Sequence, residues 1–291
     1  MSNHFHPAPP IVLTIAGFDP SGGAGTAADL KTLAALNCYG IAAVTALTIQ
    51  STQGVKAVHS TPAAALRAQI EALLEDSAIA AVKIGMLGNR GNAAAVADIL
   101  EKSALPNVVL DPVIRSSVGD VELMDSSGVK YLREELLKRA TLVTPNVPEA
   151  ELLLGMEIRD VAAMEAAARA LVERGASAAL VKGGHLDKPV DVLFDGLEVV
   201  KYEGERVRSD NTHGSGCTLS SAIAAQLAHG KPLREAVLLA KVYVQKAMEH
   251  AYATGKGPGP LNHFFRTQVE SATRGVHAEE LHPVQVPPAE R

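Results

Sequence analysis

Short runs of β-branched and other apolar residues alternate along this chain with longer segments rich in alanine and leucine. Buried parallel strands have the composition of the short runs, and amphipathic helices have the spacing of the long segments. The alternation is typical of βα units, so it predicts an α/β fold with a mostly parallel central sheet flanked by helices on both faces. Strands followed by a turn and a helix are predicted at 11–17, 41–48, 80–85, 107–111, 141–145 and 178–183.

The pattern changes after residue 183. Two further strand-like runs, 190–194 and 197–207, are separated by Asp195-Gly196, a dipeptide that favours a tight hairpin. Antiparallel strands are therefore predicted at one edge of the sheet. No Pro- or Ser-rich linker interrupts 11–270, so a single domain is expected there, with flexible tails at 1–10 and 271–291.

The composition excludes several classes of function. A net charge of −5, with five Phe, five Tyr and no Trp, offers neither a positive field nor stacking platforms for nucleic acid. No run approaches the ~20 apolar residues of a membrane span. Cys38 and Cys217 are the only cysteines and lack C-x-x-C spacing, which argues against a disulfide framework or a zinc site and favours the cytoplasm.

Ligands of open parallel sheets bind at the carboxyl ends of the strands, so polar residues just after predicted strands are the candidates. After the first strand, 23–28 matches a relaxed G-x-G-x-x-A dinucleotide pattern. That pattern needs an Asp or Glu at the end of the second strand. Residues 41–54 contain neither, and Gln50 lies there instead. A nicotinamide enzyme is therefore disfavoured, and a plain tight turn leaves Asp29 unexplained.

Three later strands end in groups suited to phosphate chemistry. Asp111 and Glu149 supply hard oxygen ligands of the kind that Mg²⁺ prefers. Lys182 could neutralise a phosphate, although a solvated strand-end lysine is an equal alternative. Asn146 with Glu149 three residues later is also an ordinary helix-initiation pair, so that explanation stays open.

The stretch 209–230, "SDNTHGSGCTLSSAIAAQLAHG", runs a glycine-rich turn into a helix of small residues. Free N–H groups and the helix dipole make such a start an anion cradle. The lysine of a Walker loop is missing, so any phosphate is held without that motif. Cys217 lies at the helix start, where the dipole is expected to lower its thiol pKa; the alternative is a buried small hydrophobe.

Seven stretches, in order over roughly 11–260, resemble one family: "LTIAGFDPSGGAGTAADLKT", "TALTIQSTQGV", "KIGMLG", "VVLDPV", "TPNVPEAELLLG", "VKGGH" and "NTHGSGCTLSSAIAA". They are similar to the hydroxymethylpyrimidine and phosphomethylpyrimidine kinases of thiamine biosynthesis, within the ribokinase-like superfamily. The resemblance implies a single α/β domain, usually dimeric, that uses ATP and Mg²⁺. It implies phosphorylation of the hydroxymethylpyrimidine and then of its monophosphate.

The resemblance also implies roles at the phosphate end of the site. The turn Gly214-Ser215-Gly216-Cys217 would be the anion hole, with Cys217 at the position where related sugar kinases carry an aspartate base. Contacts to the nucleotide are implied for Lys182, Asn146 and Thr212, and contacts to Mg²⁺ for Glu149 and Asp111.

At the substrate end, the resemblance implies Gln50, Asp29, Met86 and Gly17. The Gln50 amide offers a donor and an acceptor, which complements the amino group and adjacent ring nitrogen of an aminopyrimidine. The chain departs from the family at Thr26-Ala27 and in the flap, where Arg115, Ser116 and Ser117 replace a segment that often holds a lysine. Either Arg115 replaces that charge, or the second substrate is held in a different way.

Two other functions remain open on the sequence. One is a pyridoxal kinase, because pyridoxal also carries a hydroxymethyl arm on a six-membered ring. The other is a non-catalytic pyrimidine sensor, which the intact Asn146, Glu149 and Cys217 disfavour. A homodimer is expected, with a small-molecule substrate and neither nucleic acid nor membrane as partner.

Overall fold

The computed structural model describes residues 8–184, 189–207 and 209–267. The predicted C-terminal tail 271–291 lies outside the described residues, as does the predicted N-terminal tail up to residue 7. One nine-stranded sheet runs through the described part in the order β3-β2-β1-β4-β5-β6-β7-β8-β9. The six strands from β2 to β7 pair in parallel, whereas β3, β8 and β9 pair antiparallel at the two edges.

The strands are β1 Ile11–Phe18, β2 Tyr39–Ser51, β3 Gly54–Ser60, β4 Ile79–Ile84, β5 Val108–Leu110, β6 Leu142–Val143, β7 Ala179–Gly183, β8 Val190–Phe194 and β9 Val199–Glu203. The helices are α1 Gly25–Ala35, α2 Ala63–Asp76, α3 Arg90–Ser103, α4 Ser126–Tyr131, α5 Val147–Leu154, α6 Val161–Glu173, α7 Ser215–Ala228 and α8 Leu233–Glu249. A π turn at Leu132–Leu136 and a 3₁₀ turn at Leu137–Arg139 continue α4.

Alternate residues of the central strands pack into two apolar layers, because successive side chains of a strand point to opposite faces. On β1, Val12 joins one layer, whereas Leu13 and Ile15 join the other. Helices α1, α7 and α8 cover the first layer, and α2, α3, α5 and α6 cover the second. The predicted α/β fold with helices on both faces is confirmed.

Several element predictions need correction. The segment after β2 is not a helix but the antiparallel strand β3, whose polar side chains hide its period, and α2 begins only at Ala63. The last strand is shorter than the predicted 197–207 and ends at Glu203. The hairpin at Asp195-Gly196 is confirmed. Gly196 has a φ of +91°, and the Asp195 carboxylate accepts the N–H groups of Leu197 and Glu198.

The strand order reverses at β1, whose neighbours are β2 on one side and β4 on the other. In open α/β sheets, the crevice at such a switch point is where ligands bind. The loops after β1 and β4 therefore frame the candidate site. Within the part of the chain that the structure describes, no helix is both long and apolar enough to cross a membrane.

Candidate active site

The carboxyl ends of the central strands open into one cleft with a volume of about 1610 Å³. Its walls come from the loops after these strands, from β2 and from the start of α7. Twelve of the site residues expected from the sequence line it: Gly17, Gln50, Met86, Asp111, Asn146, Glu149, Lys182, Thr212, Gly214, Ser215, Gly216 and Cys217.

Asp29 is placed elsewhere than expected, because it does not line the cleft. Its carboxylate is fully buried and accepts hydrogen bonds from Thr14 Oγ1 at 2.6 Å, Ser221 Oγ at 2.7 Å and Lys83 Nζ at 2.8 Å. Lys83 is also fully buried, so the two charges neutralise each other beneath the cleft floor. A lysine inside the apolar run of β4 was the only sequence signal for this pair.

The glycine-rich turn brings backbone amides to the cleft. Gly214 has a φ of +78°, and a Cβ there would lie 1.8 Å from the carbonyl oxygen of Gly23. The turn is thus pressed against the β1–α1 loop, where only glycine fits. No side chain caps α7, and among the described residues the N–H groups of Gly216 and Cys217 meet no acceptor. Free amides at a helix start favour an anion.

Lys182 places a positive charge beside this turn. Its Nζ lies 2.9 Å from Asp111 Oδ1, and a Cβ on Gly216 would lie 3.3 Å from the same Nζ. Burial opposes the charge, but the carboxylates of Asp111 and Glu149 raise the Lys182 pKa above its ordinary value. The cleft therefore combines an ammonium group and free amides at one corner, as charge stabilisation of a phosphoryl group requires.

Asn146 and Glu149 form a reciprocal capping box at the start of α5. The Asn146 side chain accepts the Glu149 N–H at 2.9 Å, and the Glu149 carboxylate accepts the Asn146 N–H at 2.9 Å. The helix-initiation explanation is thus correct, and the same two side chains also face the cleft. Burial raises the pKa of Glu149 to about 7; Lys182 opposes this rise and Asp111 adds to it.

The structure contradicts the expected low pKa of Cys217. Burial raises the thiol pKa to about 11, because an apolar environment favours the neutral form. Lys83 and the Gly25 N–H act in the opposite direction, whereas the carboxylates of Asp29 and Asp111 add to the rise. Cys217 is therefore a neutral thiol near pH 7.

Gln50, Met86 and Gly17 lie together at the other end of the cleft. A Cβ on Gly17 would lie 3.0 Å from Met86 Sδ, so the glycine leaves the thioether exposed to the cleft. The Gln50 amide contacts the Thr48 hydroxyl at 3.1 Å and the His213 Nε2 at 3.2 Å. This corner can hold a flat ring and read its polar edge.

Sequence reasoning missed Asp19 and His213. Asp19 follows β1, and His213 directly precedes the Gly214 turn, so position was the signal for both. The His213 Nε2 lies 2.9 Å from Asp19 Oδ2, and both side chains are buried at the cleft wall.

Arg115 lies in the exposed loop between β5 and α4 at the cleft margin. Its Nε donates to Asp120 Oδ1 at 2.6 Å, and its Nη2 donates to the Asp120 carbonyl oxygen at 3.1 Å. Exposed ion pairs contribute little to stability, so Arg115 could exchange this partner for a ligand at small cost.

Known proteins are similar to this chain in both sequence and fold. A family profile described as phosphomethylpyrimidine kinase matches residues 19–262. The hydroxymethylpyrimidine/phosphomethylpyrimidine kinase of Rhizobium meliloti is 46% identical over 261 residues, covering 88% of this chain and 97% of that protein. The thiamine biosynthesis bifunctional protein of Geobacter sulfurreducens is 45% identical over 259 residues, 88% of this chain, which spans only 53% of that protein.

Two solved structures support the same grouping. A phosphomethylpyrimidine kinase from Clostridium difficile has a TM-score of 0.74 and 38% identity, covering 82% of this chain and 99% of that chain. A Bacillus subtilis pyridoxal kinase in an ADP complex has a TM-score of 0.82 and 34% identity, covering 89% of this chain and 99% of that chain. With the profile match over most of the domain, the chain belongs to the phosphomethylpyrimidine kinase family.

Proposed function

We propose that this protein transfers the γ-phosphoryl group of ATP to the hydroxymethyl oxygen of 4-amino-5-hydroxymethyl-2-methylpyrimidine, and then phosphorylates the monophosphate to the diphosphate. The relative from Rhizobium meliloti is named a hydroxymethylpyrimidine/phosphomethylpyrimidine kinase, which supports both phosphorylations. One observation supports it above the others: a single cleft joins a ring-reading corner, Gln50 with Met86, to the free amides of the turn before α7.

The chain's own groups divide the work along the cleft. Gln50 orients the ring so that its hydroxymethyl arm extends toward α7. The N–H groups of Gly216 and Cys217, together with Lys182, stabilise the negative charge that develops on the transferred group. A loose phosphoryl-transfer transition state needs little help from a base. The scarce thiolate form of Cys217, which Lys83 favours, can therefore take the hydroxymethyl proton late in the step and become the neutral thiol.

Thr212 and Asn146 are proposed contacts to the nucleotide. Thr212 lies in the loop that leads into the turn, and its carbonyl oxygen accepts the Ser215 N–H at 3.2 Å. Asn146 lies across the cleft beside Lys182, to which its backbone is bridged. The triphosphate would then run between these two sides, with its end at the Gly214 turn.

Asp111 and Glu149 are the proposed Mg²⁺ ligands, and their chemistry fits the ion. Both supply hard oxygens at the phosphate corner, but among the described residues no three metal-binding side chains form a ready-made cage. Such a donor set suits an ion that keeps most of its water and arrives with the phosphates. When bound, Mg²⁺ neutralises phosphate charge; Asp111 and Glu149 hold and orient it.

Arg115 is the proposed contact for the phosphate of the monophosphate substrate. Its guanidinium is half exposed and borders the cleft, and its present partner Asp120 is more exposed still. A phosphate offers the same paired oxygens as that carboxylate. The role would give the second phosphorylation its own binding group.

A second candidate function is pyridoxal phosphorylation, because solved pyridoxal kinases share the fold with TM-scores of 0.81 and 0.82. One experiment separates the candidates. The purified chain with Mg-ATP is offered the pyrimidine, its monophosphate or pyridoxal in parallel, and ADP release and product mass are followed. We expect turnover on both pyrimidines. Turnover on pyridoxal alone would overturn the substrate choice, and binding without ADP release would favour a sensor.

A homodimer in the cytoplasm is also proposed. Leu47 and Ile49 on β2 and Phe18 on β1 are exposed apolar side chains that a second copy would cover. Cys38 and Cys217 are free thiols, as a reducing compartment allows. Sedimentation analysis should give twice the mass of one chain, and Leu47→Lys should shift the equilibrium to monomer. A wild-type monomer would contradict the dimer.

A further inference from the structure

His213 contacts both halves of the cleft, yet the function proposed above gives it no role. Its Nε2 lies 2.9 Å from Asp19 Oδ2 and 3.2 Å from the amide nitrogen of Gln50. The side chain is only 5% exposed, and its backbone directly precedes Gly214. The residue therefore joins the substrate reader to the start of the anion-binding turn.

Asp19 determines which nitrogen of His213 carries a proton. Its carboxylate accepts the N–H groups of Ser21 at 2.8 Å, Gly23 at 3.2 Å and Ala24 at 2.9 Å. Burial opposes ionisation, but the hydrogen bonds from His213 and Ser21 hold the Asp19 pKa below its ordinary value. An ionised carboxylate can only accept, so the His213 Nε2 must be a donor.

The other ring nitrogen agrees with this tautomer. His213 Nδ1 is buried and has no hydrogen-bond partner among the described residues. A buried N–H without an acceptor costs more than a buried lone pair on an aromatic nitrogen, so the proton belongs on Nε2.

The single Nε2–H of His213 is shared between Asp19 and Gln50, and a protonated Nε2 has no lone pair with which to accept, so Gln50 must present an acceptor to it. The two amide ends of a glutamine are interchangeable by a half turn and are assigned from their partners. With its oxygen toward His213, Gln50 directs its nitrogen at Thr48 Oγ1, 3.1 Å away. The Thr48 hydroxyl donates to the Phe18 carbonyl oxygen at 3.0 Å, so it is free to accept. In this arrangement the Thr48 hydroxyl and the Gln50 amide have complementary partners, and the one His213 N–H is shared between two acceptors.

We propose that His213 is a positioning residue that fixes the orientation of the Gln50 amide and thereby the ring edge that the cleft selects. The remaining N–H and lone pair of Gln50 then face the ligand in one fixed order. An aminopyrimidine has an amino donor beside a ring-nitrogen acceptor and satisfies both. In pyridoxal the hydroxyl and the ring nitrogen are not adjacent, so one group is lost. The inference rests on the proposed pyrimidine substrate.

Two variants at position 213 test this directly. His213→Leu removes the donor, whereas His213→Gln keeps an N–H that can reach Asp19 and Gln50. We expect His213→Leu to reduce the ratio of kcat/KM for the pyrimidine over pyridoxal at least tenfold, about 1.4 kcal/mol, with the KM for ATP unchanged. His213→Gln should recover the ratio to within about threefold. An unchanged ratio in His213→Leu, or an equal loss in both variants, would overturn the proposal.

A double-mutant cycle separates positioning from structural damage. In a Gln50→Leu background, His213→Leu should cause no further loss of discrimination, because its effect passes through the amide. Equal losses in both backgrounds would contradict the proposal. If the chain does not turn over, calorimetry without ATP can measure the ratio of the affinities for the pyrimidine and for pyridoxal. Failure of the proposed kinase function is thereby distinguished from failure of the role proposed for His213.

The tautomer of His213 can also be measured in the wild-type protein. In ¹⁵N-histidine-labelled protein, the nitrogen shifts of His213 should report a protonated Nε2 and a bare Nδ1, with the signal assigned by its loss in His213→Gln. A proton on Nδ1 with a bare Nε2 would overturn the orientation argued for Gln50.

Discussion

Cys217 lies one helical turn before Ser221, whose hydroxyl donates to the Asp29 carboxylate at 2.7 Å. Residues four apart share a helix face, so the thiol faces the same buried surroundings as the Asp29–Lys83 pair. Lys83 favours a thiolate, but burial outweighs it. We therefore regard Cys217 as a thiol that is mostly neutral at pH 7 and whose scarce thiolate form takes the proton.

Replacing Cys217 should affect the chemical step. In Cys217→Ala we expect kcat to fall roughly tenfold or more, because the thiolate that takes the proton is removed, while KM for the pyrimidine changes little. Steady-state kinetics with saturating ATP measures both constants. An unchanged kcat would remove Cys217 from the mechanism.

The ionisation of Cys217 can be followed apart from activity. The thiolate is the reactive form, and a pKa of about 11 leaves it scarce at neutral pH. In a Cys38→Ala background, the rate of iodoacetamide labelling should rise about tenfold per pH unit from pH 7 to 10. A plateau near pH 8 would restore the thiolate expected from the helix dipole.

The buried ion pair predicts a large loss of stability on neutralising Asp29. Asp29→Asn leaves the fully buried Lys83 charge without a counterion, which typically costs about 3–5 kcal/mol. The matched control is Asp98→Asn, since Asp98 forms partly exposed pairs with Arg67 and Lys102 that contribute up to about 1 kcal/mol. Urea unfolding compares the two variants, and equal losses would contradict the assignment.

At the scale of elements, the start of α7 depends on one backbone conformation. Gly214 and Gly230 both have a φ of +78°, but a Cβ at Gly214 would collide with Gly23, whereas one at Gly230 would meet nothing within 4 Å. The two glycines therefore separate backbone strain from the collision.

Gly230→Ala should cost about 1 kcal/mol of stability with kcat unchanged, because only the strain of a positive φ is added. Gly214→Ala should lower kcat by at least about tenfold as well, because the turn must move away from Gly23 and its amides lose their direction. Thermal unfolding and steady-state kinetics measure both. Similar kcat values in the two variants would argue against the amide cradle.

Site residues could be predicted from the sequence where they lie directly after a predicted strand. Asp111, Asn146 and Lys182 could be found because parallel strands bring their carboxyl ends to one edge. The strand β3 was hidden, since its exposed edge position allows polar side chains on both faces. Lys83 could not be paired with Asp29 because the two residues are 54 positions apart and only the assembled sheet brings them together.

For the whole molecule, acid stability should depend on His263, which is buried against α7. The ring contacts Thr218 Oγ1 at 3.2 Å, and burial lowers its pKa to about 4, with Lys31 adding to the fall. A histidine is ordinarily protonated near pH 6.5, so between pH 6.5 and 4 the unfolded chain binds more protons than the folded one. The contribution of the neutral His263 ring to the free energy of unfolding is therefore complete above pH 6.5 and is lost as the pH falls toward 4.

The difference between the folded and unfolded pKa values of His263 should lower the free energy of unfolding by about 3 kcal/mol between pH 7 and pH 4. In urea unfolding, the free energy of unfolding should therefore fall less on acidification in His263→Gln than in the wild type. His59→Gln changes an exposed histidine and should behave like wild type. An identical pH dependence in all three proteins would contradict the buried neutral ring.

The central claim is that free amides at the start of α7, rather than a Walker lysine, hold the migrating phosphoryl group beside Cys217. A crystal structure with the pyrimidine and a non-hydrolysable ATP analogue tests it most directly. We expect a terminal phosphate oxygen within about 3.2 Å of the Gly216 or Cys217 nitrogen, with the ring at Gln50. A terminal phosphate bound away from the Gly214–Cys217 turn would contradict the claim.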